Sequence, residues 1–330
     1  MGLNSEQKIA AETVEGPLLV LAGAGSGKTR VVTFRIVNLL KMGVNPSEIL
    51  GLTFTNKAAL EMRQRVQKLT NSNVLICTFH SLGARILRES IHHLGYQSSF
   101  TIYDEDDTEK LMKTCINAIP DAPQKLDLRA LRGMISKAKN SLVKQDESAP
   151  MRQRSLEEAI FPSLYNTYQT KLKEYNALDY DDLLFLTLKL FQEYPQVREY
   201  YQNRWRFLLI DEYQDTNAVQ YAMVNFLVAK HKNICVVGDP DQSIYSWRGA
   251  NIQNILNFES DYPGACVVKL DQNYRSRSNI LEAANALIKK NNNRYEKNLW
   301  SDRGPGDKIK HYRLDNEKAE ALFVSRQINH

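Results

Sequence analysis

Ala22-Gly23-Ala24-Gly25-Ser26-Gly27-Lys28-Thr29 is a run of small residues that ends in a lysine and a hydroxyl. Its spacing fits the phosphate-loop pattern G-x-x-x-x-G-K-[ST], with Ala22 in place of the first glycine. Glycines let successive backbone N–H groups curl toward phosphate oxygens, and a following helix N-terminus adds partial positive charge. In such a loop Lys28 reaches the β- and γ-phosphates of a nucleoside triphosphate, and the Thr29 hydroxyl holds Mg²⁺. A second cluster fits the same chemistry. The apolar run Phe207 to Ile210 delivers Asp211 and Glu212 at its end. Asp211 would bind the metal through water, and Glu212 would orient or deprotonate the attacking water. Taken alone, an acidic pair also suits a solvated turn; the upstream loop favours the catalytic reading.

These residues need elements to hold them. Short apolar runs bounded by turn residues predict buried strands at Leu18 to Ala22, Ile49 to Phe54, Val74 to Phe79, Phe207 to Ile210, Ile234 to Val237 and Cys266 to Leu270. Helical patterns follow several of them, at Lys28 to Leu40, Lys57 to Leu69 and Ser81 to Leu94. Strand then helix, repeated, predicts an α/β fold with a mostly parallel sheet covered on both faces. From about 85 to 204 the chain has helical periods and almost no strand signal, which predicts an all-helical insertion. Within it Leu111, Met112, Cys115, Ile116 and Ile119 share one helical face, as do Leu128, Leu131, Met134, Ile135 and Leu142. The acidic cluster Asp104 to Glu109 marks a helix start. Ser155-x-x-Glu158 predicts a capping box, after which Pro162 kinks or restarts the helix. Past 271 come a helix (Ser278 to Lys290), a polar loop, a strand (Lys308 to Leu314) and a helix (Glu317 to Ile328).

Bulk properties set bounds. The 330 residues suggest about two domains, with 43% hydrophobic and 25% charged residues as in soluble proteins. A net charge of +5 is compatible with a nucleic-acid partner. Cys77, Cys115, Cys235 and Cys266 stand far apart without a CxxC pair, so buried free thiols are expected rather than a zinc site or disulfides. No apolar run is long enough for a membrane helix and no signal-peptide layout is present, so a cytoplasmic location is expected by default.

Six further stretches carry a resemblance. They are Leu3-Asn4-x-x-Gln7, Thr53-Phe54-Thr55-Asn56-Lys57-Ala58-Ala59, Thr78-Phe79-His80-Ser81, Asp211-Glu212-Tyr213-Gln214-Asp215, Val237 to Ala250 and Gln272-Asn273-Tyr274-Arg275-Ser276. Together with the phosphate loop they resemble the UvrD/Rep/PcrA group of superfamily 1 DNA helicases over essentially the whole chain. The resemblance implies a RecA-like P-loop NTPase fold. The chain would divide into a motor lobe at 1–84 and 205–270, the insertion at 85–204 and the opening of a second RecA-like lobe at 271–330. It implies that Gln7 reads adenine, that Arg30 and Tyr274 sandwich the base, and that Arg275 is an arginine finger. Gln242 would sense the γ-phosphate. Phe54, Asn56, His80, Tyr245, Trp247 and Arg248 would line a groove for single-stranded DNA. By residue type alone, Phe54 and Tyr245 suit a core equally well, and His80 suits a structural hydrogen bond. Trp247 lies in the polar, aperiodic run Gln242 to Gly249, which argues against a core role.

Six basic residues at 125, 129, 132, 137, 139 and 144 stand against Asp127, and fit either a grip on duplex phosphates or a solvated helix face. The segment Ala177 to Leu184 also resembles the family, and is expected to position the insertion against the motor core. A Thr-Arg-Ala-type segment carrying a second finger is absent from 277–330, where Arg277, Arg294, Arg303, Arg313 and Arg326 lie in unrelated surroundings. The expectation is therefore the N-terminal portion of a longer helicase, lacking its C-terminal half and weak in hydrolysis and unwinding by itself. The implied activity is ATP-dependent 3′→5′ movement on single-stranded DNA and single-strand/duplex junctions, alongside repair or replication-restart proteins. The alternatives are a P-loop ATPase acting on something other than nucleic acid, and a non-catalytic DNA-binding module.

Overall fold

The computed structural model describes residues 2–123, 125–141, 155–291 and 294–328. In chain order the elements begin with α1 (Ser5–Glu12), β1 (Leu18–Ala22), α2 (Lys28–Lys41), β2 (Ile49–Thr53), α3 (Asn56–Thr70), β3 (Leu75–Thr78) and α4 (Phe79–Ser90). Next are β4 (Thr101–Ile102), α5 (Glu105–Asn117), α6 (Leu128–Asn140), α7 (Leu156–Glu174) and β5 (Ala177–Leu178). The chain continues through α8 (Asp182–Glu193), α9 (Pro195–Arg204), β6 (Phe207–Ile210), α10 (Ala218–Val228) and β7 (Ile234–Gly238). It ends with α11 (Gln253–Leu256), α12 (Phe258–Asp261), β8 (Cys266–Leu270), α13 (Ser278–Ile288) and α14 (Glu317–Ile328).

Six strands form one parallel sheet in the order β3-β2-β6-β7-β1-β8. The central strands β2, β6, β7 and β1 are buried at every position because both faces are covered. Alternate residues divide between two cores. Leu19, Leu21, Leu50, Leu52, Ile210 and Val236 pack with α4, α8, α9 and α10. Leu18, Val20, Ile49, Leu209 and Val237 pack on the opposite face with α1, α2 and α3. Fully burying one such side chain is worth about 1.5–3 kcal/mol. On the first face α4 and α8 approach so closely that a Cβ on Gly83 would collide with the Leu183 carbonyl.

A third core lies in α5, α6 and α7, built on Leu111, Met112, Cys115, Leu131, Ile135, Ile160, Leu164 and Tyr168. Asp104 caps α5, and Ser155 with Glu158 forms a capping box on α7. Pro162 does not restart that helix, which runs on to Glu174. The insertion is not purely helical: β4 and β5 form a two-stranded ladder, Thr101↔Ala177 and Ile102↔Leu178. Pairs this short leave no alternation for a sequence reading to detect. Leu142 and Lys144 fall outside the described residues.

The expected strand Lys308 to Leu314 does not form; these residues belong to no regular element and are exposed. A strand needs a partner edge, and none lies beside this segment among the described residues. The four cysteines are free thiols, with Cys115 and Cys235 buried. No helix among the described residues is long and apolar enough to cross a membrane.

Candidate functional site

Parallel α/β sheets bind ligands outside the carboxyl ends of their strands, and here those ends carry the predicted residues. Gly27, at φ 92°, starts α2, and Gly25 also has a positive φ of 69°. Side chains at either position would also collide, with Gln7 at Gly27 and with Asn273 and Arg275 at Gly25. The turn therefore requires glycine for conformation and for space. Lys28 leaves the first turn of α2 and donates to Glu212 Oε2 at 2.8 Å and to Gln242 Oε1 at 3.4 Å. The Thr29 hydroxyl donates to Asp211 Oδ2 at 3.3 Å. The phosphate loop and the acidic strand end thus face one another.

Asp211 is buried at the end of β6. Burial, and then the neighbouring Glu212, push its carboxyl up to about 6 against the pull of Lys28 and Thr29. Burial and Glu212 do the same to Asp215. Crowded carboxylates of this kind favour a bound cation. Glu212 has φ 54°, rare for a residue with a side chain. Gln214, to which the sequence assigns no role, is buried. It donates to Glu212 Oε2 at 3.0 Å and to Asp215 Oδ2 at 3.2 Å, and its Oε1 accepts from the Asp239 N–H at 3.0 Å. It therefore ties the β6 turn to the β7 turn that bears Gln242. Gln242 in turn donates to Asp239 Oδ2 at 2.5 Å.

Gln7 is only 1% exposed. Its amide donates to the Ser26 carbonyl at 2.8 Å and accepts from the Asn4 N–H at 3.1 Å. Within this chain its amide braces the phosphate loop. The segment Asn273 to Ser276 docks on the other side of that loop. Asn273 donates to the Ala24 carbonyl at 2.5 Å, and the Tyr274 N–H to the Gly25 carbonyl at 2.9 Å. Arg275 follows with its Cβ over Gly25 and its side chain exposed. Arg30 donates to the Gly2 carbonyl at 3.2 Å and Tyr274 accepts from Asn4 at 3.0 Å, so both lie against residues 2–4. Asn273 bridges more of the pocket than its neighbours do, although residue type gave no reason to single it out.

The second group follows β2, β3 and β7. Thr55 caps α3 and Thr78 caps α4, which places Asn56 and His80 in first helical turns. Phe54 stacks on Tyr245 at 5.2 Å between centroids. Tyr245 leads to Trp247 at 6.5 Å, and the Arg248 guanidinium sits 4.6 Å from the Trp247 ring. Trp247 is 72% exposed. Phe54 and Tyr245 are half-buried and belong to no core cluster among the described residues. His80 stacks on Tyr180 at 4.0 Å and 18°. Burial pushes its imidazole down to about 4, so it is neutral at physiological pH. Tyr180, 57% exposed, lies in the segment Ala177 to Leu184, whose pattern assigns it no chemistry.

The basic run resolves into separate fates. Arg132 pairs with Glu105 at 3.1 Å on the surface. Lys139 is neither a solvated residue nor a phosphate grip. Its ammonium is buried between Asp179 at 2.6 Å and Asp182 at 2.8 Å.

The parallel sheet, the glycine turn and the facing carboxylates define a RecA-like P-loop NTPase. More narrowly, this chain belongs to the UvrD/REP helicase family. The model of the UvrD/REP helicase N-terminal domain matches residues 3–263, and that of the UvrD-like helicase C-terminal domain matches residues 268–330. Over 332 residues the chain is 48% identical to the ATP-dependent DNA helicase PcrA of Leuconostoc citreum, covering 99% of this chain and 44% of that protein. It is 47% identical to the ATP-dependent DNA helicase PcrA of Bacillus subtilis, covering 99% and 45%. For the protein of the same name from Staphylococcus aureus the figures are again 47%, 99% and 45%. The chain spans a little under half the length of these relatives.

Proposed function

We propose that this chain is the ATP-binding portion of a DNA translocase that couples ATP hydrolysis to 3′→5′ movement along single-stranded DNA and across single-strand/duplex junctions. The observation that carries the reading is a short covalent path. Gln242, in contact with Lys28, is three residues from Tyr245 and five from Trp247. A change in the phosphates at Lys28 therefore has a direct route to the aromatic row. Thr29 and Asp211 would hold Mg²⁺, and the metal would offset phosphate charge. Lys28 would hold the β- and γ-phosphates, and Glu212 would position the attacking water. Arg275 would supply the finger. Tyr274 and Arg30 would flank adenine, with Gln7 fixing the loop beneath it. Phe54, Tyr245 and Trp247 would stack on bases without regard to sequence, each worth about 1–3 kcal/mol. Asn56, His80 and Arg248 complete that surface, and Tyr180 extends it.

The packing supports an insertion that starts near β4 and ends near β5, because α8 and α9 share the core of the large sheet. Residues 2–100 and 179–270 then form the motor lobe, and 271–328 the opening of the next unit. Repair and replication-restart proteins remain the proposed cellular partners.

The test is ATP turnover with and without a single-stranded oligodeoxynucleotide. Stimulation of about tenfold or more is expected, equivalent to about 1.4 kcal/mol off the barrier. Turnover indifferent to DNA would remove the proposed coupling and favour an ATPase with a different partner.

A further inference from the structure

The segment 294–300 crosses the mouth of the nucleotide pocket. Trp300 bridges to Gln272, and its carbonyl accepts from the Asn273 N–H at 2.8 Å. The Leu299 side chain fills the space that a Cβ on Gly23 would take. Two cations on this segment reach into the β7 turn. Arg294 pairs with Asp241 at 2.8 Å, and Lys297 pairs with Asp239 and, at 3.1 Å, with Asp241. All four side chains are at most 10% exposed.

We infer that Arg294 and Lys297 are positioning residues that clamp the 239–248 loop, and with it Gln242 and the row Tyr245–Trp247. The physical reason lies in the loop itself. Asp239 accepts from the Asp241 N–H at 3.0 Å and from the Gln242 amide at 2.5 Å. Asp239 is thus the hinge post for Gln242, and it is buried beside a second carboxylate. Two buried carboxylates persist only with cations at hand. Residues 239–247 contain no lysine or arginine; Arg294 and Lys297 arrive from more than fifty residues downstream of the carboxylates they pair with. Removing either cation drives Asp239 or Asp241 toward water, and the loop that holds Gln242 near Lys28 moves with it. Arg294 and Lys297 therefore set the geometry of both the nucleotide sensor and the aromatic row through the Asp239 and Asp241 carboxylates.

Hydrogen–deuterium exchange on the 330-residue chain tests the clamp independently of any ligand. Lys297→Gln and Arg294→Gln should each speed amide exchange in peptides covering 239–249 by about tenfold or more. Peptides from β1 and β2 should be unchanged, which shows that the variants fold. Lys297→Arg should restore slow exchange, because it keeps the charge. Unchanged exchange at 239–249 in both glutamine variants would overturn the clamp. The link to the aromatic row rests on the proposed function and has its own readout, the affinity for an oligodeoxythymidine probe. That affinity should fall about tenfold in the glutamine variants. A glutamine variant that exchanges fast yet binds the probe like wild type would overturn the link. Failure of the wild type to bind the probe would instead remove the DNA reading and leave the exchange result to decide the clamp.

Discussion

Glu212 adopts φ 54° at the end of β6 while its carboxylate pairs with Lys28 at 2.8 Å. A side-chain-bearing residue in that region costs on the order of 1–3 kcal/mol, and the surrounding bonds from Gln214 and Lys28 hold it there. The strain aims the carboxylate at the phosphate loop rather than along the strand. Glu212→Gln keeps the shape and removes the proposed base. Nucleotide affinity should stay within about threefold while kcat falls by about 10²–10⁴; a kcat near wild type would deny Glu212 the water-positioning role. His80 gives a pH prediction. Its folded pKa of about 4 lies below the ordinary 6.5. The unfolded chain therefore binds the proton more readily, and stability falls as pH drops from about 6.5 toward 4. Urea unfolding at pH 7.5 and pH 5 should show wild type losing up to about 2 kcal/mol more than His80→Phe, less what solvent screening removes. Equal losses would mean that the imidazole titrates normally. At this scale the sequence was legible wherever a motif fixes both type and spacing, as at Lys28, Thr29 and Asp211. It was silent on the roles of Gln214, Asn273 and Tyr180, whose importance comes from contacts across 25 to 249 residues of chain, which no local pattern encodes.

Between elements, the contact that most departs from the sequence reading joins α6 to the turn before α8. Burial opposes the Lys139 charge, but Asp182 and Asp179 outweigh it and hold the ammonium protonated well above its ordinary range. Tyr168 of α7 adds a hydrogen bond to Asp179 at 3.1 Å. One residue on, Asn140 donates to Asp181 at 2.8 Å and accepts from Asn217, the cap of α10, at 2.9 Å. Helices of the insertion are thereby fastened to the lobe that carries the acidic turn. Lys139→Met removes the cation that pairs with both Asp179 and Asp182, and should cost about 3–5 kcal/mol in a urea titration. A loss under about 1 kcal/mol would mean that the carboxylates reach water or protonate cheaply. The strands and most helices were readable because both-face burial writes continuous apolar runs and because the acidic cluster Asp104 to Glu109 and the Ser155–Glu158 box mark helix starts. The burial of Lys139 was not, since a lysine in a basic run reads as solvated until its partners 40 and 43 residues away are known.

Across the whole molecule, one parallel sheet presents the two proposed ligand surfaces at the same edge. β1 and β6 end at the phosphate loop and the acidic pair; β2, β3 and β7 end at the aromatic residues. The surfaces share a loop yet share no side chain, since Lys28 and Trp247 touch different partners. They should therefore be separable by mutation. A ligand at 100 times its Kd stabilises the folded state by about 2.7 kcal/mol, which corresponds to a rise of several degrees in Tm. In a thermal-shift experiment, wild type should respond to Mg·ATP and to an oligodeoxythymidine. Lys28→Ala should lose the first response and keep the second, because no base-stacking ring depends on the Lys28 ammonium. Trp247→Ala should keep the first and lose most of the second, since removing one stacked base costs about 1–3 kcal/mol. If Lys28→Ala erased the oligonucleotide response, or Trp247→Ala the nucleotide response, the two surfaces would be one site, and the path through Gln242 would describe a shared pocket rather than a coupling.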